Sequence, residues 1–270
     1  MVDLDAYFAR IGYAGPWAAT LPVLQAIHAL HTAAIPFENL DPLLGRPVPL
    51  ALDALQRKLV RSRRGGYCFE QNTLFKAVLE TLGFSVTSLA ARVLWMTPPD
   101  QSPNPRAHMV LKVDLDAAAY IADVGFGGHL LAAPLQLVAD VEQPIQSGRL
   151  RLLQADPFFT LQARIASAWR DVYRFTLEPQ FPIDHEIANW FTSTHPNSRF
   201  RNSLMVQRLT PDGRIGLLNK RLTRRHADGR TEEVTLAGPA ELGQTLATEF
   251  RLELPVDAET LFARLLARRD

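Results

Sequence analysis

The single cysteine of this 270-residue chain, Cys68, is the residue best suited to covalent chemistry. It lies in the segment RGGYCFEQN (residues 64–72), and apolar residues at helical spacing follow it up to Gly83, where a glycine commonly ends a helix. We therefore expect a helix to begin at or near Cys68. The partial positive charge there favours thiolate over thiol, and free N–H groups of the first turn could receive an oxyanion. The alternative is a small buried hydrophobic residue, as most free cysteines are.

A nucleophilic cysteine needs a base and a group that orients the base. His108 begins a predicted strand, and Asp123 ends the strand predicted to return beside it. With a turn near residues 116–117, His108 lies beside positions 123–125 across the ladder, within side-chain reach. If both side chains share a face, Asp123 accepts from one imidazole nitrogen and leaves the other for the thiol. A purely structural histidine–aspartate pair is the alternative.

The segment DVGFGG (residues 123–128) places three glycines around one phenylalanine. Such a loop brings backbone close to a ligand and an aromatic ring over it, although glycine clusters are also common in plain turns. The chain has neither a dinucleotide-binding glycine fingerprint nor a Walker phosphate loop. His28 and His31 are three residues apart on one predicted helix but lack a third ligand, so we expect core or surface histidines and no metal.

The elements that must position these residues change character along the chain. The first 85 residues or so are mainly helical, and from about Phe84 short strands with alternating apolar residues predominate. This spacing predicts a small antiparallel barrel or sandwich. A helix, two hairpins and two terminal helices follow, so the order of elements favours the α+β class. The predicted strands cover 85–95, 108–115, 120–124, 149–154, 160–164 and 173–177; the later helices cover 184–192, 239–250 and 258–268.

Composition narrows the class of protein. The chain is 47% hydrophobic and 21% charged with a formal net charge of +1, which is typical of a globular protein and requires neither a nucleic acid nor a membrane partner. One cysteine excludes an intrachain disulfide and a multi-cysteine zinc cluster. No apolar run is long enough for a membrane span, and the first residues do not resemble a secretory signal. The expected location is the cytoplasm.

Five segments together resemble the arylamine N-acetyltransferase family. They are IPFENL (35–40), RGGYCFEQN (64–72), AHMVL (107–111), DVGFGG (123–128) and STHPNSRF (193–200). Their order and spacing match the family as well as their residues do. The resemblance covers most of the first two hundred positions, and the remainder of the chain is only loosely similar.

The resemblance implies a three-part architecture with a catalytic core like that of the cysteine proteases. Residues 1–85 would form a helical bundle that carries the cysteine. Residues 86–200 would form an antiparallel β-barrel with the histidine, the aspartate and a connecting helix. Residues 201–270 would form an α/β lid. A Cys-His-Asp triad would then consist of Cys68, His108 and Asp123.

The resemblance also implies the activity. Family members move an acetyl group from acetyl-CoA to the nitrogen, or the N-hydroxy oxygen, of arylamines and arylhydrazines. The mechanism is ping-pong and passes through an acetyl-cysteine intermediate. The family acts in xenobiotic metabolism. The implied acceptor pocket is lined by Phe37, Phe126 and Phe200. Coenzyme A would approach near Gly125, Gly127 and Gly128.

Some questions stay open at the level of sequence. Ala107 stands where the family often has threonine, which could alter contacts to the co-substrate. An amide synthase or another acyltransferase of the same fold would use a different acyl donor or acceptor, and a hydrolase would use water. A binding protein that has lost the chemistry is a further alternative. The physiological amine, the acyl-chain preference and the oligomeric state, including a homodimer, are also open.

Overall fold

The computed structural model describes residues 1–98, 103–127, 131–146 and 148–267. Its first part is largely helical, as predicted, and a π-helical turn at Gln56–Arg61 continues the fourth helix. The single short strand in this first part, β1 (Phe37–Glu38), pairs with a strand in the C-terminal part of the chain. The elements are α1 (Leu4–Ile11), α2 (Leu21–Ala34), β1 (Phe37–Glu38), α3 (Leu40–Leu43), α4 (Leu52–Leu55) and α5 (Cys68–Thr81).

Helix α5 begins at Cys68 because Tyr67, the residue before it, has an extended backbone and hydrogen-bonds to a side chain of the first helical turn. The Tyr67 N–H donates to Oε2 of Glu70 at 3.2 Å, which is half of a capping box. The helix ends at Thr81, and Gly83 has a positive φ of 92° that favours glycine. Start and end both agree with the sequence-based expectation.

The middle of the chain forms an eight-stranded antiparallel sheet in the order β5-β4-β3-β2-β9-β8-β7-β6. The two edge strands are joined by a side chain: the Gln136 N–H donates to Oε1 of Gln143 at 2.8 Å, and Nε2 of Gln143 donates to the Gln136 carbonyl at 2.9 Å. The sheet is therefore a nearly closed barrel around an apolar core, which confirms the predicted barrel. Its strands are β2 (Ser85–Val93), β3 (His108–Leu115), β4 (Ala118–Ala122), β5 (Leu135–Gln136), β6 (Gln143–Ile145), β7 (Gly148–Ala155), β8 (Phe158–Ile165) and β9 (Ala168–Phe175).

The β3–β4 hairpin has the register that the sequence predicts. Leu111 pairs with Ala122 at the end of β4, so Asp123 follows the last paired residue of that strand. His108, at the start of β3, pairs with Ala91 of β2 on its other side. The hairpin therefore brings the histidine and the aspartate to the same end of the barrel.

The C-terminal part is a five-stranded sheet in the order β1-β10-β11-β12-β13, packed on two helices around a separate apolar cluster. Strand β1 comes from the IPFENL segment, where Phe37 pairs with Gln207 and Glu38 with Val206. The sequence predicted only an interruption there, because a two-residue strand has no periodicity and its partner is far away in the chain. The elements are α6 (Pro182–Thr194), α7 (Arg199–Asn202), β10 (Met205–Thr210), β11 (Gly213–Leu218), β12 (Arg221–His226), β13 (Thr231–Thr235), α8 (Pro239–Thr248) and α9 (Ala258–Leu266).

A buried cluster of charges fixes the loop that precedes Cys68. Nη2 of Arg64 lies 2.7 Å from Oε1 of Glu38 and 3.2 Å from Oδ1 of Asp41. Nζ of Lys58 lies 2.6 Å from Asp41 and 2.6 Å from Glu70, the residue that caps α5. Two cations thus meet three carboxylates, and this cluster joins β1, α3, the π-helical turn and α5.

We predict that Arg64→Met destabilises the fold by about 3 kcal/mol, because it leaves buried carboxylates without their cation. The expected fall in melting temperature is about 6–12 °C for a chain of this size. Thermal unfolding followed by circular dichroism measures it. The matched control is Arg57→Met, which breaks an exposed pair with Asp53 and should cost about 0.5 kcal/mol. Equal shifts in the two variants would contradict a stabilising role for the buried cluster.

Candidate active site

A buried hydrogen bond joins His108 and Asp123, with Nε2 of the imidazole 2.7 Å from Oδ2 of the carboxylate. The side chains are 3% and 0% exposed. The second oxygen, Oδ1, accepts from Nδ2 of Asn72 and from the Gly125 N–H, each at 3.0 Å. Asp123 is thus held by three donors, which compensate the cost of burying a carboxylate.

The two partners stabilise each other's charge. Burial alone would lower the pKa of His108, but the Asp123 carboxylate and a hydrogen bond with the Cys68 thiol outweigh it and raise the pKa to about 10. Burial would raise the pKa of Asp123, but His108, Asn72 and the Gly125 N–H together hold it below its usual value. At neutral pH the site therefore contains an imidazolium beside a carboxylate.

Cys68 is the first residue of α5 and is only 4% exposed. Its sulfur lies 3.8 Å from the Ala107 carbonyl oxygen and hydrogen-bonds to His108, the group that takes the thiol proton. Because Nε2 of His108 is occupied by Asp123, Nδ1 is the nitrogen left for the sulfur. The structure thus brings Cys68, His108 and Asp123 together in the order thiol, imidazole, carboxylate. Such an arrangement is suited to nucleophilic acyl transfer.

Asn72 ties the bundle to the barrel at this site. Its Nδ2 donates to the Met109 carbonyl at 2.8 Å as well as to Asp123, and its Oδ1 accepts from the Val124 N–H at 3.0 Å. Asn72 lies within the segment RGGYCFEQN, but the sequence alone assigned it no role. One signal was available, because a residue four positions after Cys68 lies on the same face of the helix.

His28 is a second residue whose role the sequence did not reveal. Its Nε2 accepts from the Asp123 N–H at 3.2 Å. Burial lowers the pKa of His28 to about 4, which keeps the ring neutral and able to accept. Tyr173 packs its ring 5.1 Å from that of His108. Neither contact has a local sequence signal, because α2 and β9 are distant from the motifs in the chain.

The three phenylalanines predicted to line an acceptor pocket lie in two neighbouring groups. The rings of Phe37 and Phe200 are 6.1 Å apart, and Phe200 also lies 5.1 Å from Tyr67, the residue before the cysteine. Phe126 meets the edge of His108 at 5.1 Å. One ring therefore lies against His108 and another against the residue before Cys68, and the role of these phenylalanines in acceptor binding stays a prediction.

Two of the glycines predicted to lie near coenzyme A make close contacts within the protein. A Cβ on Gly125 would lie 2.6 Å from the Cα of Cys68, so only glycine lets the loop approach α5 this closely. Gly127 has a φ of 65°, and a Cβ there would lie 3.0 Å from the Phe37 ring. Gly128 lies outside the described residues. Contact of the loop with coenzyme A stays a prediction.

A cavity of about 380 Å³ opens beside the site, between α6 and the start of β3. It reaches His108, the Ala107 position that faces the thiol, and Phe69, which follows the cysteine. Its volume is within the range of small-molecule sites. The complete lining is Phe69, Ala90, Pro105, Arg106, Ala107, His108, Gln180, Asp184, His185, Ile187, Ala188 and Phe191.

The described part of the chain lacks two other features. Among those residues, no group of three or more His, Cys, Asp or Glu side chains is arranged to hold a metal ion. No helix within the described ranges combines the length and the apolar character that crossing a bilayer needs.

We predict that Asp123→Asn lowers the pKa of His108 from about 10 to below its ordinary 6.5, because burial then acts without a compensating carboxylate. An NMR titration of the histidine ring protons measures this shift. In the wild type the raised pKa stabilises the fold fully below pH 6.5, and that contribution is lost as the pH rises towards 10. In Asp123→Asn the stability of the fold should no longer fall between pH 6.5 and 10 on account of His108.

The control for that titration is Asp114→Asn, which removes a half-exposed carboxylate of the same hairpin paired with Lys112. It should leave the pKa of His108 unchanged. A His108 pKa that stays near 10 in Asp123→Asn would show that Asp123 is not the main source of the shift.

Comparison with known proteins places the chain in a family. The N-acetyltransferase family profile matches residues 20–259. An arylamine N-acetyltransferase of Mycobacterium tuberculosis is 41% identical over 99% of this chain and 97% of its own length. A Salmonella typhimurium arylamine N-acetyltransferase / N-hydroxyarylamine O-acetyltransferase is 41% identical over 92% and 88%. The structure of the Mycobacterium marinum arylamine N-acetyltransferase in complex with CoA is 38% identical and superimposes with a TM-score of 0.95 over 99% of this chain and 100% of that one. This chain therefore belongs to the arylamine N-acetyltransferase family.

Proposed function

We propose that this protein transfers an acetyl group from acetyl-CoA to arylamines, arylhydrazines and N-hydroxyarylamines through an acetyl group held on Cys68. The observation that carries the proposal is the buried chain of contacts from the Cys68 thiol through His108 to Asp123. Supporting it are relatives named for acetyl transfer to arylamines and N-hydroxyarylamines, and a related structure solved in complex with CoA.

In the first half-reaction, His108 holds the proton that comes from the thiol, since its pKa is raised to about 10. The sulfur of Cys68 then attacks the carbonyl carbon of the acetyl thioester. Free N–H groups at the start of α5 stabilise the negative charge on the carbonyl oxygen. When the carbon–sulfur bond to CoA breaks, the CoA thiolate takes the proton from His108 and leaves as the thiol.

In the second half-reaction, the amine nitrogen attacks the acetyl carbon on Cys68. His108 accepts a proton from that nitrogen and returns it to the departing sulfur of Cys68. Asp123 keeps Nε2 of the imidazole occupied, so that Nδ1 always faces the reacting atoms. The same groups act in both halves, which is consistent with a ping-pong sequence.

We predict that Cys68→Ala loses acetyl transfer completely, and that the wild type incubated with acetyl-CoA gains one acetyl group at Cys68. Intact-protein mass spectrometry followed by peptide mapping measures the gain, and release of CoA measures turnover. His108→Gln should lower turnover at least about a thousandfold, because a base that activates the nucleophile is lost. The control His226→Gln alters a partly exposed histidine of β12, which pairs with Glu232 outside the site, and should retain full activity.

An acetylated enzyme that releases only acetate in the presence of arylamines would favour a hydrolase. An enzyme that leaves Cys68 unmodified by acetyl-CoA but accepts another acyl donor would favour an amide synthase or a related acyltransferase. A cysteine that no acyl donor modifies would contradict the covalent mechanism.

We predict that Phe200→Leu raises the KM for the arylamine about fivefold and leaves acetylation of Cys68 by acetyl-CoA unchanged. The reason is that a smaller side chain removes aromatic contact from the group formed with Phe37 and Tyr67. Steady-state kinetics with a varied acceptor, together with stopped-flow acetylation, separates the two effects. The control is Phe181→Leu, on a ring that is 67% exposed and lies outside the cavity lining. An equal effect on both half-reactions would contradict an acceptor-specific role.

A further inference from the structure

Four arginines from separate segments lie where the helical bundle meets the C-terminal sheet. Arg10 is in the last turn of α1, and Arg208 is in β10. Arg63 follows the π-helical turn, and Arg251 follows α8. None of the four lines the cavity beside His108. We call these four residues the arginine cluster.

Backbone carbonyls fix two members of the arginine cluster. Nε of Arg10 donates to the Leu59 carbonyl at 3.0 Å. Nε of Arg208 donates to the Glu249 carbonyl at 2.9 Å, and its Nη1 donates to the Ala33 carbonyl at 3.3 Å. These contacts join α1 to the π-helical turn, and they join β10 to the ends of α2 and α8. They orient both guanidinium groups without neutralising their charge.

The charges of the arginine cluster are close enough to repel one another. Burial, followed by the charges of Arg63 and Arg251, lowers the pKa of Arg10 to about 10. Glu253 acts against this change. Burial, followed by the charge of Arg251, also lowers the pKa of Arg208. Arg251 therefore lies near both inner members, and holding these like charges together costs free energy.

Carboxylates do not neutralise the arginine cluster. In the described part of the chain, no carboxylate oxygen lies within 4.0 Å of a side-chain nitrogen of its members. Glu249, which acts on Arg208 at longer range, is held by Nε of Arg224 at 2.9 Å. Nη2 of Arg10 is buried and has no hydrogen-bond partner among the described residues. A buried donor without an acceptor is costly, and a bound anion would remove that cost.

The backbone of the two outer members supports a role for their side chains. Arg63 and Arg251 are exposed, and both have a positive φ, of 46° and 56°. Each lies just beyond the end of a helix, where glycine is the usual residue for a left-handed backbone. Arginine at these two positions is less favourable for the backbone, and each side chain adds a positive charge to the cluster.

We propose that the arginine cluster binds a compact phosphate dianion, either inorganic phosphate or the phosphate of a small monoester. Guanidinium groups donate paired hydrogen bonds in a geometry that matches phosphate oxygens. The four side chains come from four segments and can surround a small anion, whereas a nucleic acid backbone requires an extended basic face. The bound anion ties the helical bundle to the C-terminal sheet. This binding does not depend on acetyl transfer at Cys68.

The first test compares Arg251→Gln with the wild type in phosphate and in chloride at equal ionic strength. We expect about 10 mM phosphate to raise the melting temperature of the wild type by about 3 °C, because a ligand that binds only the folded state stabilises it. The variant should gain less than about 1 °C. In chloride the variant should melt at the same temperature as the wild type or slightly above it, because a repelling charge has been removed.

The second test measures phosphate binding at 25 °C by calorimetry, which requires neither unfolding nor turnover. Arg251→Gln and Arg63→Gln should each bind phosphate about tenfold more weakly than the wild type, because charge-assisted hydrogen bonds are lost. A parallel series with glycerol 3-phosphate shows which of the two phosphate sources binds more tightly. Affinity for CoA should be equal in all three proteins, which separates this site from that of the acetyl donor.

The matched control is Arg170→Gln, which removes an exposed arginine of β9 outside the cluster. It lowers the net charge of the protein by the same amount and should keep the full phosphate response of the wild type. Arg251→Lys retains the charge without the planar group and should recover part of the phosphate affinity.

Four results would overturn the proposal. The first is an equal rise in melting temperature from phosphate in Arg251→Gln and the wild type. The second is an equal loss of the phosphate response in Arg170→Gln, which would indicate a general effect of net charge. The third is a lower melting temperature of Arg251→Gln in chloride, which would indicate a purely structural arginine. The fourth is a joint loss of phosphate and CoA affinity, which would place the anion at the site of the acetyl donor.

Discussion

The pairing of an imidazolium with a carboxylate, both removed from water, is the constraint on which the rest of the site depends. A buried charge is tolerated only where donors and counter-charges surround it. Asp123 meets this condition with hydrogen bonds from His108, Asn72 and the Gly125 N–H. Because these donors come from a barrel strand, a bundle helix and a loop, the ion pair forms only when the parts of the chain have packed together.

The same condition explains why Gly125 and Asn72 are close to the cysteine. The loop after β4 must run against the backbone of Cys68 to place its N–H on the carboxylate, and a side chain at Gly125 would collide with α5. Asn72 then satisfies the buried carbonyl of Met109 and the buried N–H of Val124 on either side. The nucleophile and its base are therefore positioned by one shared set of hydrogen bonds.

A second group of buried charges holds the other side of the cysteine loop. Glu38 and Arg64 connect a strand of the C-terminal sheet to the segment before Cys68, and Lys58 connects Glu70 of α5 to Asp41. Burial raises the pKa of Glu70 to about 7, although Lys58 opposes that effect. The first turn of α5 is thus fixed by charges that take no part in the proposed chemistry. Their contribution is rigidity at the residue that carries the reacting sulfur.

What the sequence determined by itself was local chemistry and local geometry. Glycines and an apolar helical face located the start of α5 at Cys68, and hairpin register placed Asp123 beside His108. Only the tertiary structure decided which elements surround that group. The contact of His28 with Asp123 and the pairing of strand β1 have no local signal, because each depends on contacts between segments far apart in the chain. Periodicity and spacing describe residues that are close together in the sequence. A binding site is formed by segments that come together only when the chain has folded.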